Sequence, residues 1–226
     1  VYVLVEGINK QFLRRHFNDV TGNVYDGHSG SDVGSNLPTN AGDQPSDKKR
    51  LRDLAEAVRQ PVDSRLASLE ATLDLDRFLS FMAMETILWH WDGYTLHRNN
   101  FRIYHDRDTD RMVFLPQGLD QVVSKPTGPI VPPLGGSVAR AVMELPELRR
   151  RYDERAAQLV TNVFRVETIT RRIDEVAKKI SDTLAETDPS AAARHRSSVN
   201  SLISRFRQRA ASLQRQIQPD NGLKLA

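Results

Sequence analysis

Two acids and a pair of amides are the residues whose types and spacing could do chemistry in this chain. Asp92 lies in WDGYTLHRNNFRIY, residues 91–104, where an acid, a histidine, an arginine and the adjacent Asn99 and Asn100 are crowded between aromatics directly after a long apolar stretch. Asp120 lies in LPQGLDQ, just past the strand-like run RMVFL. Polar groups where a buried helix meets a strand are costly unless they pair with one another or bind something. One loop carboxylate can accept the proton of an attacking hydroxyl, while a second carboxylate and an amide oxygen suit a hard cation such as Mg2+. Pairs of acids in loops are also common without catalysis, so the spacing by itself leaves an ordinary polar turn open.

Other constellations fall short. Asp106, Asp108 and Asp110 imitate the start of a calcium loop, but the required glycine and terminal glutamate fall on Arg111 and Gln117, which leaves a solvated hairpin turn. The six histidines lack metal-ligand spacing, and no HExxH occurs. GxSxG, Walker A and GxGxxG are absent; Gly27, Gly30 and Gly34 have neighbours suited to turns. Lys10, Lys48 and Lys49 read as surface charges.

The elements that must position Asp92 and Asp120 are legible from periodicity. Residues 1–5 alternate as a strand closed by Glu6 and Gly7, and Phe12, Leu13 and Phe17 share one face of a short helix capped by Asn9. Residues 21–47 are rich in Gly, Ser, Asn, Asp and Pro and predict a long loop, followed by a polar helix over about 47–59 and a break at Pro61. SLEATLDLDRFLSFMAMETILWHW then predicts a buried helix, with Leu75, Phe78, Leu79 and Met82 at i, i+3, i+4 and i+7. FRIYH and RMVFLP, separated by DRDTD, predict a hairpin, and VSKPTGPIVPPLGGS a loop. Helices are expected from Val138 to about Val163, from Val166 to about Thr187 and from about Pro189 to Gln218. The last two carry apolar stripes (Ile169, Ile173, Val176, Ile180 and Leu184; Val199, Leu202, Ile203, Phe206, Ala210, Leu213 and Ile217) that predict an antiparallel pair.

The totals describe a water-compatible globular chain of 226 residues, 39% hydrophobic and 27% charged, with mean hydropathy −0.50. No apolar run is long enough to span a membrane, and the lack of cysteine excludes disulfides and Cys-ligated zinc. The start VYVLVEG, without initiator Met, reads as mid-strand, so an upstream part is expected to be missing. Formal charge is +3, yet residues 140–226 hold 17 Lys/Arg against 11 Asp/Glu, and six arginines with no acid lie between Pro189 and Pro219. Such a basic face is usually solvated, so nucleic acid is not expected as a partner.

A carboxylate after a helix, an amide a few positions on, a hairpin and a second carboxylate follow the order of parts in protein kinases. His97-Arg98-Asn99 imitates the kinase His-Arg-Asp with an amide in place of the base, but Asp92 already supplies an acid upstream. The runs VYVLVEGINKQFLRRHF, LDLDRFLSFMAMETILWHWDGY, RNNFRIYHDRDTDRMVFLPQGLDQ and ELPELRRRYDERAAQL resemble, in order, the spore-coat-protein-H (CotH) kinase family of atypical protein kinases. The sharpest part is WDGY, then RNNF-x-x-Y, then FLP-x-x-LDQ.

The resemblance implies an α+β, protein-kinase-like fold, here mainly the helical C-lobe with a hinge strand and a catalytic-loop hairpin. It implies ATP- and Mg2+-dependent (or Mn2+-dependent) phosphorylation of serine on partner proteins. Asp92 matches the catalytic-loop aspartate; Asn100, with Asn99 as second choice, matches the metal-binding amide; Asp120 matches the second metal-binding acid; and the backbone near Val5 and Glu6 would meet the adenine. Residues 1–185 would form the kinase-like unit, with most of the N-lobe upstream, and 186–226 a basic helix packed on it or extending from it. The piece alone would then be inactive. The family resemblance also implies a spore-coat, secreted or cell-surface setting, and its alternative is a kinase-shaped binding or assembly protein without catalysis. Two departures stand out: eight positions separate Asp92 from Asn100, against five in ordinary kinases, and Gln117-Gly118 stands where the family often has Trp-Asp.

Overall fold

The computed structural model describes residues 6–217, so the predicted strand at 1–5, including Val5, lies outside the described residues. Within them the fold is mixed α and β, mostly helical, with one antiparallel sheet of four short strands in the order β2-β1-β3-β4.

Helix α1 (Lys10–His16) starts where predicted, because the Asn9 side chain accepts from the Gln11 and Phe12 amides at 2.9 and 3.1 Å. Its Leu13 is buried with Val24 and Tyr104. The expected 21–47 loop is corrected: it contains β1 (Val24–Gly27) and β2 (Thr39–Ala41). The glycines that suggested a loop instead permit close approach to β3 (Phe101–Asp106). A Cβ at Gly27 would fall 2.3 Å from the Phe101 ring, and one at Gly22 would meet the His105 carbonyl. The polar helix appears as α2 (Lys49–Arg59).

The buried stretch after Pro61 is two helices rather than one, α3 (Val62–Thr72) and α4 (Leu75–Ile87). Leu73 and Asp74 are extended enough for Asp74 N–H to donate to the Met112 carbonyl at 3.0 Å, and the Asp74 carboxylate then caps α4 through the Arg77 amide. The predicted hairpin is β3 with β4 (Arg111–Pro116), in unbroken register from Phe101 opposite Pro116 to Asp106 opposite Arg111. In its turn Asp106 is buried and receives the Thr109 hydroxyl at 2.9 Å, so this aspartate is structural rather than solvated.

The helix expected over 138–163 is likewise broken, into α6 (Ser137–Met143) and α7 (Pro146–Asn162). Pro146 has no N–H to continue a helix and pushes Leu145 out of the α region, yet it suits the first turn of α7. Helices α8 (Val166–Thr187) and α9 (Pro189–Gln216) pack against each other as predicted, and the chain reverses at Asp188, whose side chain caps α9 through the Ala191 amide. Ser181 and His195, seven residues either side of that reversal, meet at 3.1 Å, which fixes the pair as antiparallel. Phe206 and Leu213 of α9 join the main core with α4 and α7. Among the described residues no helix is long and apolar enough to cross a membrane.

Candidate functional site

The site is built on the end of α4. Beneath it Phe78, Phe81, Tyr94, Phe101 and Phe114 pack with ring centroids 4.7–6.4 Å apart, giving a rigid apolar floor to both the 91–100 loop and the hairpin. After Ile87 the chain leaves the helix through Trp89, held at positive φ of 47°, and the His90 amide reaches back to the Glu85 carbonyl at 2.7 Å. A four-residue helix, α5 (Tyr94–His97), follows.

Glu85 fixes where that short helix begins. Its carboxylate is buried and accepts the Tyr94 and Thr95 amides at 3.1 and 2.7 Å. Burial raises its pKa to about 7, outweighing the opposing pull of the Thr95 hydroxyl and of these two amides. Gly93 lies against it: a Cβ there would fall 2.3 Å from Glu85 Oε1. The Tyr94 hydroxyl donates to Asp32 at 2.8 Å and accepts the Val138 amide, while Ser137 donates its amide and hydroxyl to Asp32, so the 28–37 segment, α5 and α6 are locked together.

The predicted residues converge at the end of this loop. Asn99 Nδ2 donates to Asp92 Oδ1 at 3.0 Å, and Asn100 Nδ2 donates to Asp92 Oδ2 at 2.8 Å and to the Asp92 carbonyl at 3.1 Å. Because an ionised carboxylate is acceptor-only, the amide nitrogens must face it, which turns the Asn100 carbonyl oxygen away from Asp92. Each Asp92 oxygen keeps a further lone pair. The loop reaches this arrangement through two non-glycine residues in the left-handed region, Arg98 at φ 54° and Asn100 at φ 49°, and asparagine tolerates that region better than most residues.

Asp120 stands on the adjoining turn. The Gln117 amide donates to the Asn100 carbonyl at 3.1 Å, and His90 Nε2 donates to the Gln117 carbonyl at 3.1 Å. Gly118 follows at φ 63°, where a Cβ would lie 2.7 Å from the Asn100 side chain. Asp120 then occupies a single 3-10 turn (Leu119–Gln121), exposed, with no hydrogen-bond or ion-pair partner among the described residues. Burial lowers the pKa of His90 against the opposing effects of the Gln117 carbonyl, Asp92 and Asp120, which places both acids within electrostatic reach of one ring.

Glu6 is not brought to this cluster: it is exposed and paired with Arg15 of α1. Lys10 and Lys49 form exposed pairs with Asp43 and Asp53, whereas Lys48 is half-buried and holds Asn36 and the Leu37 carbonyl. No group of three or more His, Cys, Asp or Glu side chains could hold a metal among the described residues. Asn100 and Asp120 offer one amide oxygen and one carboxylate, a set that suits a cation also held by phosphate oxygens and water. Sequence reasoning missed Glu85, hidden in the apolar run of α4; its one signal was an acid at a position that periodicity puts inside.

The model of the CotH kinase protein family matches residues 1–213. Among curated proteins the chain is 29% identical over 127 residues to Invasin CotH3 of Rhizopus delemar, covering 50% of this chain and 21% of that protein. It is 29% identical over 128 residues to Invasin CotH7 and 27% identical over 128 residues to Spore coat protein homolog 1 of the same organism, covering in each case 52% of this chain and 21% of the relative. The chain thus spans about a fifth of the length of the curated relatives it matches. With the family's pattern running through nearly all of its length, site loops included, the chain belongs to the CotH kinase protein family.

Proposed function

We propose that this chain is the C-lobe part of an atypical protein kinase that transfers phosphate from ATP to serine hydroxyls of partner proteins with Mg2+ or Mn2+. The observation that supports it best is the clamping of the Asp92 carboxylate by Asn99 and Asn100 beside a turn that presents Asp120 without a partner. Asp92 is the base: it orients the substrate serine hydroxyl and takes its proton on a carboxylate oxygen, while the two asparagines keep that carboxylate from rotating. Asn100 rather than Asn99 serves the metal, because its side chain lies against Gly118, two residues before Asp120. Asp120 is the second protein ligand. Mg·ATP, when bound, supplies the phosphoryl group and the positive charge that offsets its oxygens. The backbone near Val5 and Glu6 is assigned to the adenine.

A second reading has support from the relatives' names. Three of the four carry "Invasin" and one "Spore coat protein homolog", and a kinase-shaped assembly protein of a spore coat or cell surface would also keep this fold. Incubating the full-length protein with labelled ATP and Mg2+ or Mn2+, on itself and on a serine-rich protein, separates the two. Incorporation that vanishes in Asp120→Ala supports the kinase; none in either protein, on several substrates, supports the assembly role.

A further inference from the structure

Arg209 of α9 is fully buried and has no carboxylate partner among the described residues. Its guanidinium instead donates to backbone carbonyls on two separate segments. Nε donates to the Ile87 carbonyl at 2.8 Å and Nη2 to the Thr86 carbonyl at 2.6 Å, both at the C-terminal end of α4. Nη1 donates to the Gly128 and Pro126 carbonyls in the loop that follows Asp120. Its charged carbon lies 5.6 Å from the centre of the Trp89 ring, and Gly128 packs so closely on that ring that a Cβ would fall 2.2 Å from it.

Burying an unpaired cation costs several kcal/mol unless every donor finds an acceptor. Two of the four acceptors, the Thr86 and Ile87 carbonyls, lie at the C-terminal end of α4, where the helix dipole is negative and favours a cation; the Thr86 carbonyl is shared with the Trp89 amide at 3.0 Å. Burial brings the Arg209 pKa down only to about 10, so the group stays charged at neutral pH. Gln216, two turns further along α9, reinforces the grip by accepting the Ile130 amide at 2.7 Å and donating to the Gly128 carbonyl at 3.2 Å. The Val123 amide, between Asp120 and the gripped loop, donates to the Leu88 carbonyl at 2.7 Å, so the two segments also touch directly.

The geometry points to Arg209 as a positioning residue of the Asp92–Asp120 site: one side chain of the C-terminal helix sets the spacing between the segment leading into Asp92 and the segment leading away from Asp120. Its catalytic consequence rests on the kinase reading above; the mechanical coupling does not. Any partner or truncation that moves α9 therefore acts on both acids together.

The test compares the full-length protein with Arg209→Lys, which keeps a charge but loses the fork, and with Arg209→Ala in the presence and absence of methylguanidinium. Hydrogen exchange is followed in peptides from 86–100, 117–130 and the α8–α9 reversal, alongside kcat and KM for ATP. Arg209→Lys is expected to speed exchange about tenfold in both loop peptides while the reversal stays unchanged, and to lower kcat more than it raises KM. Methylguanidinium is expected to slow loop exchange in Arg209→Ala. Unchanged exchange in the two loops of Arg209→Lys overturns the proposal, as does loss of protection spread evenly over the chain. If the wild-type protein transfers no phosphate, the kinase reading fails, while the exchange result still decides the coupling.

Discussion

The 91–100 loop and the 117–123 turn lie side by side and are built on opposite plans. In the first, the acid is held by its neighbours: Asn99 and Asn100 donate to both oxygens of Asp92, and Glu85 beneath it accepts the amides of Tyr94 and Thr95. In the second, backbone bonds from Gln117 and Val123 pin the ends, but the acid at the centre, Asp120, is exposed and unpartnered among the described residues. A carboxylate held by neutral donors keeps its place and can receive a proton on cue. A carboxylate without a donor is free to take a cation. The difference between the two acids is thus a difference of role, set by their neighbours.

The largest effect that could break this contrast is at Asp92. Asp92→Asn keeps the shape but removes the proton acceptor, so phosphotransfer by the full-length protein should fall about 10³-fold. Its thermal midpoint should move little, because one of two amide contacts survives at a cost of about 1 kcal/mol. A transfer rate near wild type in steady-state assay would give the two acids equal standing.

Glu85 sharpens the comparison through pH. With a native pKa of about 7 against an ordinary 4.5, the folded chain binds more protons than the unfolded one between those values. Stability should therefore decline as pH rises from 4.5 to about 7, by roughly 3 kcal/mol in total, and then level off. Denaturant midpoints measured against pH for the wild type and Glu85→Gln should differ by that slope, which the variant lacks; parallel curves would refute it.

Gly118→Ala probes the joint between loop and turn. The left-handed backbone and the clash with Asn100 should together cost about 2 kcal/mol, read as a lowered midpoint in urea. Asp120→Ala should be the mildest for folding, within about 0.5 kcal/mol of wild type, while raising the Mg2+ concentration needed for half-maximal ATP binding by at least about tenfold.

The parts of this arrangement that sequence could show are those set by local pattern. The α4 stripe of Leu75, Phe78, Leu79 and Met82, the β3–β4 hairpin and the α8–α9 pair follow from periodicity, and the order of Asp92, an amide pair and Asp120 follows from the spacing of polar groups between elements, whereas the choice of Asn100 within that pair rests on the family resemblance. The breaks at Asp74 and Pro146 had local causes, a cap and a missing N–H, that the apolar rhythm masked. Strand β1 was hidden because Gly27 at its end and Gly22 just before it serve close packing against Phe101 and His105 rather than turning the chain, and β2 because its three residues, Thr39–Ala41, are too few to show alternation. Glu85 and Arg209 were hidden for a different reason. Each is a charged residue in a helix whose use depends on a contact with a segment elsewhere in the chain, and for Arg209 those partners lie more than 80 positions away.

The most direct test of the division between the two acids is Mg·ATP binding and phosphotransfer measured on the same preparations of full-length wild type, Asp92→Asn and Asp120→Ala. The account predicts that Asp92→Asn binds Mg·ATP as the wild type does but transfers almost no phosphate, while Asp120→Ala loses metal-dependent binding. Wild-type transfer by Asp92→Asn, or unaltered metal dependence in Asp120→Ala, would contradict it.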